Sequence, residues 1–160
     1  MRARDEQLRA WHSLPEAGRD AWSAFLRAHA EVVRALDAEL EAAHGLPLTS
    51  FDALVQLSVA EDGELRMSEL ADAVVLSRSG LTRLVDRLER EGLVERRRGG
   101  RGDARSTYAR ITERGLDRLA EAAPTHLEGV RRLFVDPLDE DELRTVAAAL
   151  GRLGAGARRP

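Results

Sequence analysis

No cysteine occurs in the 160 residues. Disulfides, thiolate metal centres and thiol-based redox switches are therefore excluded. Lysine is also missing: all 25 basic side chains are arginine. Arginine is thus the general-purpose cation of this chain, and its placement says more than its presence. Aromatic residues make up only 4% of the sequence, so Leu, Val and Ala must fill the core. No apolar run is long enough to span a membrane, and residues 1–10 are too polar for a signal peptide. A cytoplasmic protein with no membrane partner is expected. His12, His29, His44 and His126 are scattered, with no helical His pair, so neither a metal site nor a cofactor is expected. No Ser/His/Asp grouping, phosphate loop or carboxylate pair marks an enzyme.

Charge is present but unevenly placed. Residues 66–118 hold 13 Arg against 9 acidic residues, a local charge of +4, while the remaining 12 Arg and 19 acids give −7. An acidic chain with a basic centre can bind a polyanion locally.

The centre, Met67–Ile111, carries the clearest pattern. A short helix is expected from about Ser68 to Val74, with Leu70 and Ala71 facing inward. Leu81, Leu84, Val85 and Leu88 then fall on one stripe of a second helix. Ser77 precedes that helix as a cap, and Gly92 follows its last turn. Two helices joined by so few residues must cross steeply, as in a helix-turn-helix. The outer face of the second helix carries Ser79, Arg83, Asp86 and Arg90, flanked by Arg78, Thr82 and Arg87. Guanidiniums read guanine edges bidentately, hydroxyls reach bases or phosphates, and a helix N-terminus favours phosphate. The same face also reads as an ordinary solvated surface.

Leu93–Arg98 and Ser106–Ile111 are β-compatible runs around the turn Gly99-Gly100-Arg101-Gly102, with Leu65 beginning a third short strand. Arg96, Arg97, Arg98, Arg101 and Arg105 sit on or beside this hairpin, where their charges are expected to point outward. Helix and hairpin together give an expected DNA-contact set. Ser77, Arg78, Ser79, Thr82, Arg83 and Arg87 come from the helix; Arg97, Arg98, Arg101, Asp103 and Arg105 come from the wing.

Ser68-Glu69-Leu70-Ala71, the run from Leu81 to Glu89, Gly92-Leu93-Val94-Glu95-Arg96 and Ile111-Thr112-Glu113-Arg114-Gly115 together resemble the MarR-type winged-helix transcriptional regulators. Asp103-Ala104-Arg105 matches that family's Asp-x-Arg wing motif. The likeness runs from about Trp22 to Leu153. It implies a homodimer on pseudo-palindromic operators, often released by a small-molecule effector, here expected to be aromatic or phenolic. It also implies that Arg105 enters the minor groove or grips phosphate. The wing tip departs from the family, which usually has a shorter Pro/Asp-rich turn. The alternative reading is a winged-helix architectural or protein-interaction module that reads no specific operator.

Helical stripes flank the centre. Ser13-Leu14-Pro15-Glu16 reads as a helix start, followed by Trp22, Phe25, Leu26, His29, Val32, Val33, Leu36 and Leu40. This stripe is too long for one small lobe to cover, so part of it should meet another subunit. Thr49 reads as the start of the next helix. After the wing, Thr112 caps a helix whose stripe, from Leu116 to Phe134, runs straight through Pro124 and predicts one kinked helix. Asp136-Pro137 ends it, and the acidic run 139–142 opens the last helix.

The expected fold is therefore mainly α with a small β-wing: a winged helix-turn-helix lobe plus a helical dimerisation scaffold from the N- and C-terminal helices. Residues 1–12 form a tail and 13–48 an N-terminal dimerisation helix. Residues 49–111 form the DNA-binding lobe, 112–153 the C-terminal dimerisation helices, and 154–160 a second tail.

Overall fold

The computed structural model describes residues 11–100 and 103–157, with side chains described for 11–99 and 106–153. It contains α1 (Glu16–His44), α2 (Leu48–Ser58), β1 (Glu64–Arg66), α3 (Met67–Ala73), α4 (Arg78–Arg90), β2 (Val94–Gly100), β3 (Asp103–Ile111), α5 (Glu113–Val130) and α6 (Glu140–Ala157). The three strands form one antiparallel sheet in the order β1-β3-β2. Contacts divide the chain into residues 1–35 and 36–160.

In the first unit the α1 helix opens at Glu16, not at a Ser13 cap. The Pro15 carbonyl accepts from the Gly18 and Arg19 amides at 3.0 and 3.1 Å. Proline suits this place because it has no N–H to leave unsatisfied. Trp22, Phe25 and Leu26 are 51, 42 and 46% exposed along this helix. Trp22 and Phe25 rings lie 6.0 Å apart, and Phe25 and His29 rings 6.2 Å apart.

The second unit holds the core. Leu40, Leu54, Leu57, Leu70, Val85, Leu88 and Tyr108 are at most 1% exposed, and they come from α1, α2, α3, α4 and β3. The end of α1 is Gly45, at φ +59°, whose amide bonds the Glu41 carbonyl at 2.8 Å. The α2 helix begins one residue before the expected Thr49. Its first amide, Leu48, donates to the Asp37 carboxylate at 2.8 Å, a cap supplied by the preceding helix from eleven residues back. Burial pushes the Asp52 carboxyl of α2 up from its ordinary range, partly offset by His126. Burial likewise pushes the His126 imidazole down, partly offset by Asp52. The His126 ring lies 4.5 Å from that of Phe51, which joins α2 to α5.

As the unbroken stripe requires, α5 runs through Pro124 as one helix and ends in a wider turn, Arg131–Val135. There the Asp136 amide reaches the Arg131 carbonyl at 2.8 Å, five residues back. The acidic start of α6 is a reciprocal cap. Asp139 accepts from the Asp141 and Glu142 amides, and the Glu142 carboxylate accepts from the Asp139 amide at 2.9 Å. The helix continues to Ala157, so residues 154–157 are helical where a tail is expected.

Thr112 locks the lobe to α5. Its Oγ1 accepts from the Gly115 amide at 3.0 Å and donates to the Gly92 carbonyl at 2.7 Å, while its amide donates to the Leu93 carbonyl at 3.1 Å. The motif Ile111–Gly115 is therefore a joint between the end of α4 and the start of α5. Gly115 is buried so tightly there that a Cβ would overlap the Leu93 carbonyl oxygen.

Candidate nucleic-acid interface

The exposed edge of the lobe is built by α3, α4 and the β2–β3 hairpin. Ser77 caps α4 as its sequence position demands: its Oγ accepts from the Gly80 amide at 3.1 Å. At the other end Gly92 adopts φ +72°, its amide reaches the Glu89 carbonyl at 3.0 Å, and the Leu93 amide reaches the Leu88 carbonyl at 2.9 Å. Those two bonds close a Schellman motif. Leu81, Leu84, Val85 and Leu88 are buried.

The opposite face stays open. Ser77, Arg78, Ser79, Thr82, Arg83 and Arg90 are all exposed. The Thr82 hydroxyl donates back to the Arg78 carbonyl at 2.9 Å, which leaves its oxygen lone pairs and methyl outward. Among the described residues, Arg78, Arg83 and Arg90 form no ion pair. Arg87 does not join them. It is half-buried and donates to Ser50 of α2 at 2.5 Å, with Nε buried and unpartnered among the described residues. It ties α4 to α2, whereas the sequence places it beside the DNA-reading line.

The wing strands run closer to the tip than the sequence patterns imply. β2 extends to Gly100 and β3 starts at Asp103, paired in register, with an irregularity between Arg98 and Gly100 and Gly99 at φ +72°. Arg101 and the side chains of Asp103 and Arg105 lie outside the described residues. Arg98 is exposed. Arg97 is half-exposed, and its guanidinium is 3.6 Å from the Glu64 carboxylate of β1.

Arg96 turns the other way from the outward direction expected for it. Its guanidinium meets Asp86 at 2.5 Å and Glu89 at 2.6 Å, and donates to the Thr82 carbonyl at 3.2 Å. Its amide donates to Glu89 at 3.2 Å. Burial alone would lower the Arg96 pKa, but the bonds to Asp86 and Glu89 outweigh it and raise the value above the ordinary one. Asp86 thereby leaves the outward line of α4 and becomes half of a clamp that holds the wing to that helix. Two carboxylates three residues apart on an arginine-rich helix were the available signal; the strand register needed to aim Arg96 at them was not. These pairs are partly exposed, so Arg96→Ala is expected to lower stability by only about 1 kcal/mol. Its larger effect falls on the hairpin. Amide exchange of the β2 and β3 strands should speed up while that of α4 stays unchanged. Equal protection in both proteins would show that the clamp holds nothing.

Tyr108 is a second residue that sequence reasoning missed. It is 1% exposed, and its hydroxyl accepts from Arg66 Nε at 3.0 Å, tying β3 to β1 across the sheet.

A capped outer helix packed on a short one, with a three-stranded hairpin sheet clamped to its side, defines a winged helix-turn-helix. The sequence model of the MarR family matches residues 44–106. The transcriptional regulator MhqR of Bacillus subtilis is 30% identical over 115 residues, covering 72% of this chain and 77% of its own. The chain belongs to the MarR family. The transcriptional repressor MprA of Escherichia coli is 32% identical over 110 residues, 68% of this chain, and the chain spans 62% of MprA's length. Sco3205, a MarR family regulator from Streptomyces coelicolor solved in complex with DNA, superposes with a TM-score of 0.83 at 29% identity, covering 92% of this chain and 91% of its own.

Proposed function

We propose that this protein is a transcriptional regulator that binds duplex DNA sequence-specifically, as a homodimer, and acts as a repressor. The observation that carries this reading is the exposed row on α4. Ser79 and Arg83 are uncovered beside a wing that Arg96 clamps to the same helix. The row enters the major groove, where Arg83 reads a base edge; Ser77, Arg78, Ser79 and Thr82 hold phosphates or bases at the helix N-terminus. Arg97, Arg98 and Arg101 meet the backbone, Arg105 reaches the minor groove or phosphate, and Asp103 orients it. The DNA complex of Sco3205 supports the reading by likeness.

The dimer rests on apolar side chains that the single chain leaves uncovered. Trp22, Phe25 and Leu26 in the first unit are of this kind, as are Leu127, Phe134 and Leu153 in the second. A dimer places two α4 helices on half-sites about one helical turn apart, roughly 34–36 Å. A small aromatic or phenolic compound is the proposed effector class. A shallow groove of about 680 Å³ is lined by Glu39, Ala42, Ala43, Pro124, Thr125 and Glu128, and both of its carboxylates are already paired, Glu39 with Arg132 and Glu128 with Arg131.

Selection of random duplexes by the purified protein, followed by footprinting, tests the reading. An inverted repeat is the expected outcome, and binding without sequence preference would refute it. On the selected operator, Arg83→Ala should lose about 1–3 kcal/mol of discrimination at one base pair per half-site. Equal weakening on all sequences would make Arg83 a phosphate clamp.

A further inference from the structure

The turn between α3 and α4 contains a conflict that the proposed function leaves unused. It is a Schellman motif of the same form as the one ending α4. The Val75 amide bonds the Asp72 carbonyl at 3.4 Å and the Leu76 amide bonds the Ala71 carbonyl at 2.9 Å. The residue between must be left-handed. At the ends of α1 and α4 the chain uses Gly45 and Gly92 for this, at φ +59° and +72°. Here it uses valine, at φ +54°. A β-branched residue is a genuine outlier in that region, because its Cβ and methyls crowd the backbone. The fold gains nothing in return, since Val75 is 89% exposed. Strained residues cluster at binding sites and switches, and a strained side chain left uncovered among the described residues points to a contact outside the chain. Two residues further on, Ser77 caps α4, and Arg78 and Ser79 form its first exposed turn.

We propose that Val75 is a specificity-determining contact of the DNA interface. Its isopropyl group packs against an apolar edge of the operator, a thymine methyl or deoxyribose carbons, beside the N-terminus of α4. This rests on the DNA-binding reading above. The chemistry complements its neighbours. Arginines and hydroxyls supply charge and hydrogen bonds, whereas a methyl group recognises thymine, which those groups read poorly. Branching at Cβ restricts the side chain to few rotamers, so docking it costs little entropy.

The test uses the full-length protein, the operator that wild type selects, and the variants Val75→Gly and Val75→Asn, both of which tolerate the left-handed turn. Val75→Gly should melt about 2–4 °C higher at equal protein concentration. Both variants should bind the operator about four- to fifteenfold more weakly, the effect of losing one or two buried methyl groups across the two half-sites. The slope of affinity against salt should not change, because no phosphate contact is lost. Operators with deoxyuridine in place of thymine near the half-site edge separate the two sources. If wild type then falls to the level of the variants, the contact is a thymine methyl. If the gap persists, it is deoxyribose. Val75→Gly binding with wild-type affinity and sequence preference overturns the proposal. So does weaker binding with a shallower salt slope, which would mean that the turn only aims the arginines. If wild type selects no sequence at all, the DNA reading itself falls, and this proposal with it.

Discussion

Gly115→Ala will lower the melting temperature by about 6–12 °C, the shift that corresponds to roughly 3 kcal/mol in a chain of this size. The sign runs against the usual rule. Alanine in place of glycine inside a helix stabilises by about 0.5–1 kcal/mol, because the unfolded chain loses freedom. Here the new Cβ overlaps the Leu93 carbonyl oxygen and stands 2.7 Å from Ile111 Cγ1. The first obstacle is backbone and cannot rotate away. Relief requires α5 to back off from the start of β2, which stretches the Thr112 amide bond to Leu93 and the Thr112 hydroxyl bond to Gly92. Overpacking costs about 1–3 kcal/mol, and each weakened hydrogen bond about 0.5–1.5 kcal/mol. These terms exceed the helix gain. Thermal unfolding monitored by circular dichroism measures the outcome. An unchanged or raised melting temperature would mean that the α5–β2 joint is loose.

Phe25→Glu will abolish the proposed dimer and cut operator affinity by about 100-fold or more, because the two half-sites no longer share one binding event. Phe25 is 42% exposed in the single chain, where its ring lies beside those of Trp22 and His29. A carboxylate at this position remains hydrated in a monomer and costs its fold little. In a dimer that buries the stripe, the same carboxylate is desolvated with no partner, which opposes association by several kcal/mol. Light scattering gives the mass and titration with the operator gives the affinity. A variant that stays dimeric and binds the operator as wild type does would move the interface away from α1.

The positions of the helices were legible because their signals are local. Ser77 and Thr112 cap where their hydroxyls fall one residue before the start of a helix, and both accept the amide three residues on. Gly92 ends α4 because only a residue without a Cβ takes φ +72° cheaply. The stripe through Pro124 kept its register, and one helix resulted. The same short-range patterns carried the family likeness and the winged helix-turn-helix fold. Element starts that depend on distant groups were misplaced. The α2 helix starts at Leu48 because Asp37, on another helix, reaches its amide.

The arginines mark the boundary between the two kinds of information. That the centre is basic is readable along the chain, since the charges around α4 and the wing can be counted there. What each arginine does depends on packing. Arg83 stays in the open, Arg87 turns to Ser50, and Arg96 is captured by Asp86 and Glu89. Every cation in this chain is the same residue type, so identity carries no information about role. Role follows from the register of β2 against β3 and from the packing of α4 on α2 and the sheet. The left-handed turn at Val75 belongs to the same class: nothing in a valine announces φ +54°. The close approach of α3 to α4 imposes it, and that approach exists only once Leu70, Leu81 and Val85 share one core.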